Sequence, residues 1–324
     1  MELTLTLDIP ALPKPIVYTD SVFLIGSCFT EHISDRLMKH KFRCLSNPHG
    51  ILFNPISVAH SLDSYVDDRK YRKEDLFYLN ELWNSWDHHT RFSNTDQDEA
   101  LRMINRSQED AATFIKKTDW VIITLGSAFQ YYLTEAGRPV SNNHRAPGQW
   151  FEKKLLSIEE IVSSLSKSLY KLITVNPDVK ILFTISPVRH IRDGVVDNNR
   201  SKARLTEAVH RLCNNFKQAF YFPAYELVID ILRDYRYYDI DFVHPNYLAT
   251  QYVWEQFMGS CIEANSQKVI QKVHEIVVAR AHRARFPETE AHRKFKADHI
   301  QKIESLVREY PGLDFSEELK YFSD

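Results

Sequence analysis

Four apolar runs, at residues 22–25, 120–125, 180–185 and 219–222, alternate along the chain with helical patterns. The first leads into a helix-like segment at 31–40. The others follow helical patterns near 98–116, 158–175 and 201–217. A strand that is apolar throughout, rather than at every second residue, is covered on both faces, and strands separated by helices pair in parallel. Right-handed crossovers then give an α/β fold, a three-layer α/β/α sandwich with a mainly parallel sheet. In such sheets the ligand site lies beyond the carboxyl ends of the strands.

That rule singles out residues. Gly26, Ser27 and Cys28 follow the first run, and Gly126 and Ser127 the second. The third is followed by Ser186, Pro187, Val188, Arg189 and His190, and the fourth by Pro223, Ala224, Tyr225 and Glu226. Ser27 and Cys28 stand where a tight glycine turn meets a helix start, so the free N–H groups there favour a thiolate or an oxyanion. The plain alternative is a helix cap at Ser27 and a small buried hydrophobe at Cys28. Near the other end of the core, Asp241 precedes His244 by three residues, the spacing for a carboxylate that fixes an imidazole tautomer, with Asp239 as a second orienter. Arg189 has the fork that clamps a carboxylate or phosphate, or it pairs with Asp193. Residues 198–202 read as a cap for the helix that follows.

The 324 residues carry a net charge of -2, with no basic stripe of the kind a nucleic acid requires. No apolar run is long enough to span a bilayer, and the start from Met1 to Asp8 alternates and is acidic, unlike a signal peptide. Four dispersed cysteines form neither a C-x-x-C pair nor a disulfide framework, which predicts a reduced, cytoplasmic protein. Only 8 glycines argue against a loop-rich or propeller-like fold. A segment at about 66–95, with Trp83, Trp86, His88, His89 and Phe92, reads as an insertion that covers the site, its aromatic rings packing a small core in preference to stacking on a sugar ring. Residues 137–150 read as a polar loop containing Asn142, Asn143 and His144. The spacing of His88, His89 and His144 matches no metal-ligand signature, so no metal is expected. The division expected is one domain over 1–265 and a helical, charged extension over 266–324, punctuated by Pro287, Pro311 and Gly312.

The run Gly26-Ser27-Cys28-Phe29 resembles the name motif of the GSCFA family, part of the wider SGNH/GDSL hydrolase group, with Thr30 in place of the alanine. The resemblance continues through residues 47–55, Thr124 to Ser127, Ser186 to His190 and Asp241 to Pro245, about residues 22–258 in all. It implies an SGNH-hydrolase-like, flavodoxin-like core that hydrolyses esters, such as those of an acylated saccharide, with no cofactor. Cys28 aligns with the nucleophile and Ser27 with the aspartate of the Gly-Asp-Ser block, so Cys28 is the first candidate and Ser27 the second. His244 takes the proton and Asp241 orients it. The oxyanion block Gly-x-Asn-Asp is replaced here by Gly126-Ser127-Ala128-Phe129. The donors then come from the backbone N–H of Cys28, from Gly50 or Gly126, and from Asn54, Asn142 or Asn143. Ser127, His144, Arg189, His190, His88 and His89 complete the substrate-binding candidates. The two departures also support a second expectation, a catalytically inactive binding module for a carbohydrate or acyl ligand.

Overall fold

The computed structural model describes residues 5–282 and 284–323. The reading of the first four residues as part of an acidic, alternating start therefore lies outside the described residues.

The elements in chain order are β1 (Ser21–Gly26), α1 (Cys28–Lys39), β2 (Arg43–Ser46), α2 (Pro55–Val66), β3 (Leu76–Leu79), β4 (Leu82–Ser85) and α3 (Gln97–Ile115). Next come β5 (Trp120–Leu125), β6 (Phe129–Leu133), β7 (Pro139–Val140), β8 (Phe151–Leu155), α4 (Ile158–Val175), β9 (Lys180–Ile185), α5 (Val195–Asn215) and β10 (Ala219–Phe222). The chain ends with α6 (Ala224–Glu226), α7 (Tyr247–Cys261), α8 (Ala264–Ala281), α9 (Glu290–Glu309) and α10 (Ser316–Ser323).

β2, β1, β5, β9 and β10 form one five-stranded sheet in that spatial order, and every pairing in it is parallel. This is the flavodoxin-like doubly wound order, whose direction reverses between β1 and β5. Alternate side chains leave the sheet on opposite faces. Val22, Leu24, Trp120 and Ile122 pack with Phe29, Ile33 and Leu37 of α1 and Trp254 and Phe257 of α7. Phe23, Ile25, Val121 and Ile123 pack with Leu62 of α2, Leu165 and Leu169 of α4, and Leu205 and Val209 of α5. Both faces are covered, which is why these runs are apolar at every position. The expected three-layer core is present, and the C-terminal helices share the α1/α7 core through Val273, Ile276, Ile303 and Phe322.

Two small sheets were not anticipated. β3 and β4 form an antiparallel hairpin within the expected insertion, and β6 pairs with β8 on either side of the expected loop and with β7 inside it. α5 also begins at Val195, six residues before the expected 201, because Gly194 turns the chain at φ +82°. Asn198 and Ser201 are therefore inside the helix rather than capping it. Asn198 Oδ1 accepts the His190 N–H at 2.9 Å, and Ser201 Oγ accepts the Ala128 N–H at 2.7 Å.

Candidate active site

The reversal point between β1 and β5 places a glycine turn at each strand end. Gly26 has φ +142°, and a Cβ there would lie 2.1 Å from the Thr124 carbonyl oxygen on β5, so only glycine fits. Its N–H donates to Asn47 Oδ1 at 2.9 Å, and its carbonyl accepts the Leu52 N–H at 2.9 Å. The chain thus turns sharply out of the sheet and enters α1 at Cys28.

Ser27 is buried and its Oγ has no hydrogen-bond partner among the described residues. It precedes α1 at the cap position, yet its side chain makes no capping bond, so the plain alternative of a side-chain cap is not met. Cys28 is half-buried at the open end of the helix. Burial and the Glu31 carboxylate push its thiol up, against the pull of Lys202 and of the N–H groups of Phe29 and Cys28. The expected lowering by the helix start is therefore present but outweighed.

His244 and Asp241 lie together as their spacing predicts. His244 Nδ1 donates to Asp241 Oδ2 at 2.7 Å, and the other carboxylate oxygen accepts the N–H groups of Val243 and His244. The imidazole and these N–H groups hold the Asp241 carboxyl down at about 2. A depressed carboxyl supports the loop above its ordinary pKa, and the support fades as pH falls through about 2. The loop is tied to the end of β9, where the Arg189 N–H donates to the Val243 carbonyl at 3.2 Å. Burial lowers both His32, one helical turn after Cys28 on α1, and His190 after β9, with the nearby charges as lesser causes. Among the described residues no hydrogen bond joins His244 to Cys28 or Ser27. Arg189 does not pair with Asp193, which is held by Lys153. Its guanidinium instead lies 4.3 Å from the Tyr238 ring centre and 5.4 Å from that of Tyr235.

The glycines do not supply oxyanion donors. The Gly50 N–H donates to Asn47 O at 2.7 Å and the Gly126 N–H to Phe53 O at 2.8 Å. Gly50 is required for another reason: φ is +85°, and a Cβ would lie 2.1 Å from His89 Cβ. Ser127 also donates its N–H to Phe53 O, and its Oγ accepts the Phe129 N–H, so it closes a turn. Asn54 sits directly after Phe53, above β1 and β5. Its Oδ1 caps α2 by accepting the Ser57 N–H at 2.9 Å, and its Nδ2 donates to no group among the described residues. The donors left at this end of the sheet are Asn54 Nδ2 and the first N–H groups of α1.

The remaining candidates belong elsewhere. Asn142 Oδ1 accepts the His144 N–H, and His144 Nε2 bonds to the Ser85 carbonyl at 2.7 Å. Asn143 closes the next turn by accepting the Ala146 N–H. These residues staple the β6–β8 sheet to β4, beside the Trp86, Val140 and Ala146 cluster. His88 is fully buried, bonds through Nδ1 to Ser85 Oγ, and is held neutral by burial and by His49, whose ring centre is 4.1 Å away. His89 packs on Gly50 and donates its N–H to His49 O. His88, His89 and His144 do not converge, and no group of three metal-ligating residues forms among the described residues. Trp86 stacks on Phe77 at 3.6 Å, so it builds the insertion's own core rather than a sugar platform.

The residue that sequence reasoning missed is Lys202. It is 2 % exposed on α5, and its Nζ donates to Gly126 O and Ser186 O, both at 2.6 Å, bridging the ends of β5 and β9. Burial pulls its ammonium down to about 7, against the opposing effect of Cys28.

No helix among the described residues is long and apolar enough to cross a membrane. No curated protein sequence matches the chain. Among solved structures it is similar to a family two carbohydrate esterase from Clostridium thermocellum, at 13% identity and a TM-score of 0.37, covering 76% of this chain and 66% of that one. It is also similar to an acetyl xylan esterase from Butyrivibrio proteoclasticus, at 11% identity and a TM-score of 0.36, covering 80% of this chain and 64% of that one. The chain spans slightly under two thirds of each of these proteins. The description "GSCFA domain protein, C-terminal domain" matches residues 273–324, and that of the GSCFA family matches residues 21–257, which include Cys28, Lys202, Asp241 and His244. The chain belongs to the GSCFA family.

Proposed function

We propose that the protein hydrolyses esters through an acyl-thioester on Cys28, in the manner of SGNH hydrolases. The observation that carries this reading is the 2.7 Å bond between His244 Nδ1 and Asp241, in a loop anchored to the residues that follow β9. That bond places the Nδ1 proton and leaves Nε2 to exchange protons. His244 takes the Cys28 thiol proton as Sγ attacks the acyl carbon, and the carbonyl oxygen gains charge near the α1 N–H groups and Asn54 Nδ2. His244 protonates the departing alcohol, then takes a proton from the water that cleaves the thioester, freeing acid and thiol. These steps need no cofactor. The substrate class we favour is a small acyl ester, including acyl groups on a saccharide. Phe53, Ile191, Val195, Ile240 and Phe242 are exposed in the segments around the strand ends and suit an apolar acyl group.

Short-chain nitrophenyl acetate and butyrate are the test substrates. His244→Ala is expected to lower kcat by about 10²–10⁴-fold, the range for losing a general acid–base group. Equal turnover in wild type and variant overturns the reading. A second reading, a non-catalytic binding module, is favoured by the lack of a hydrogen bond from His244 to Cys28 or Ser27 among the described residues. It predicts that wild type hydrolyses neither ester while a saccharide or acyl ligand still raises its Tm.

A further inference from the structure

Arg189 is held firmly but has no acidic partner. It lies in the segment after β9 and is half-buried. Its guanidinium rests on the rings of Tyr238 and Tyr235, 4.3 Å and 5.4 Å from their centres. A ring face attracts the charge but accepts none of the five N–H groups, which lie in the guanidinium plane. Among the described residues that guanidinium makes no ion pair and no hydrogen bond, and the buried Tyr238 hydroxyl has no partner either. The acids of the neighbouring segments are engaged elsewhere: Asp193 with Lys153, Asp234 with Arg236 and Asp241 with His244. By contrast, the half-buried Arg69 and Arg138 each pair with an aspartate, Asp75 and Asp87. A partly desolvated cation with five unused donors is costly unless an anion completes it.

The backbone fixes this guanidinium relative to His244. The Arg189 N–H donates to the carbonyl of Val243, the residue before His244, at 3.2 Å. Tyr238, beneath the guanidinium, pairs with Pro245, the residue after His244. Between them the Asp239 N–H donates to the His244 carbonyl at 2.8 Å. The next residue, His190, joins this loop to the strand ends. Its ring meets Phe53 edge-on at 5.5 Å. A Cβ on Gly126 would lie 3.3 Å from Phe53 Cδ1 and 3.2 Å from Ser27 Cβ. Arg189 thus stands at the His244 end of a continuous surface that starts at the β1–α1 turn.

We propose that Arg189 binds a carboxylate on the alcohol part of the substrate, so that the preferred ester is that of an acidic alcohol, such as an acylated hydroxy acid or acidic sugar. This inference rests on the esterase reading and narrows it. In that reading His244 serves the departing alcohol, and Arg189 is tied to the residues on both sides of His244. A carboxylate held there belongs to the alcohol, while the acyl group keeps the apolar residues of the strand ends. The planar fork matches a carboxylate through two parallel N–H···O bonds, and stacking on Tyr238 fixes the plane in which it is offered.

The test compares two acetyl esters that differ only in the charge on the alcohol part, 4-acetoxybenzoate and its methyl ester, in the full chain. The quantity read is the ratio of kcat/KM for the anion to that for the neutral ester, in which any general loss of activity cancels. Arg189→Gln is expected to lower that ratio by about 10-fold to 100-fold, the worth of hydrogen bonds to a charged group. Arg189→Lys keeps the charge without the fork and is expected to fall between the two. An equal ratio in wild type and Arg189→Gln overturns the proposal. Calorimetric titration with the products, 4-hydroxybenzoate and its methyl ester, needs no turnover and so separates this site from the esterase reading. Wild type is expected to bind the carboxylate at least about tenfold more tightly than the methyl ester, and Arg189→Gln to lose that preference. That result with neither ester hydrolysed upholds the anion site and overturns the esterase reading alone. Equal binding of the two compounds by wild type, or binding of neither, overturns the site, and this arm holds even if the Arg189 variants do not fold.

Discussion

Cys28→Ala is expected to lower nitrophenyl-ester turnover by about 10³-fold or more while the protein still folds, whereas Ser27→Ala retains turnover. The magnitude is that for removing a covalent nucleophile, where only binding and charge stabilisation remain. The contrast between neighbours follows from their surroundings. Cys28 is half-buried at the first position of α1, beside the free N–H groups of the helix start. Ser27 is 1 % exposed, its Oγ bonds to no group among the described residues, and Gly126 lies against its Cβ. Among the described residues no base bonds to that hydroxyl, and a partnerless buried hydroxyl stabilises nothing, so Ser27→Ala should change stability by less than about 1 kcal/mol. Steady-state kinetics with urea unfolding separates loss of chemistry from loss of fold. Full activity in Cys28→Ala, or loss in Ser27→Ala alone, would reverse the roles of the two residues.

Gly26→Ala is expected to be the most damaging small substitution near the site. The added methyl would lie 2.1 Å from Thr124 O, a backbone atom within a paired strand, at φ +142°. Strain at a glycine-only conformation costs about 1–3 kcal/mol, and overpacking against a rigid neighbour adds about 1–3 kcal/mol. Together these consume a large share of a domain's usual stability of about 5–15 kcal/mol. Gly137→Ala is the matched control. It also has positive φ, +60°, but nothing lies within 4 Å of the added Cβ, so its cost should be about 1 kcal/mol. Urea midpoints of the two variants check this, and equal midpoints would contradict the account of the β1–α1 turn.

The central sheet was legible because β1, β5 and β9 are covered on both faces, which leaves almost no polar residue to blur the pattern. Asp241 and His244 were legible because their contact spans three residues. Lys202 was not, since a lysine on a helix is ordinarily solvated and its two acceptors lie 76 and 16 residues away. The β6–β8 sheet was missed because β8, with Glu152, Lys153 and Lys154 exposed, is polar and has only one covered face. His88 and His144 resembled site residues because sequence cannot distinguish a histidine offered to a ligand from one buried on Ser85. The glycine donors failed for a similar reason. Gly50 and Gly126 are at turns as expected, but the turns consume their N–H groups.

The central claim is that the acyl group passes through the Cys28 sulfur. Brief incubation with nitrophenyl acetate, acid quench and peptide mass spectrometry locate that group directly. The account predicts an acetyl thioester on Cys28, accumulating further in His244→Ala, where the hydrolytic water lacks its base. Acetyl on Ser27, or continued turnover with Cys28 never labelled in either protein, would contradict it.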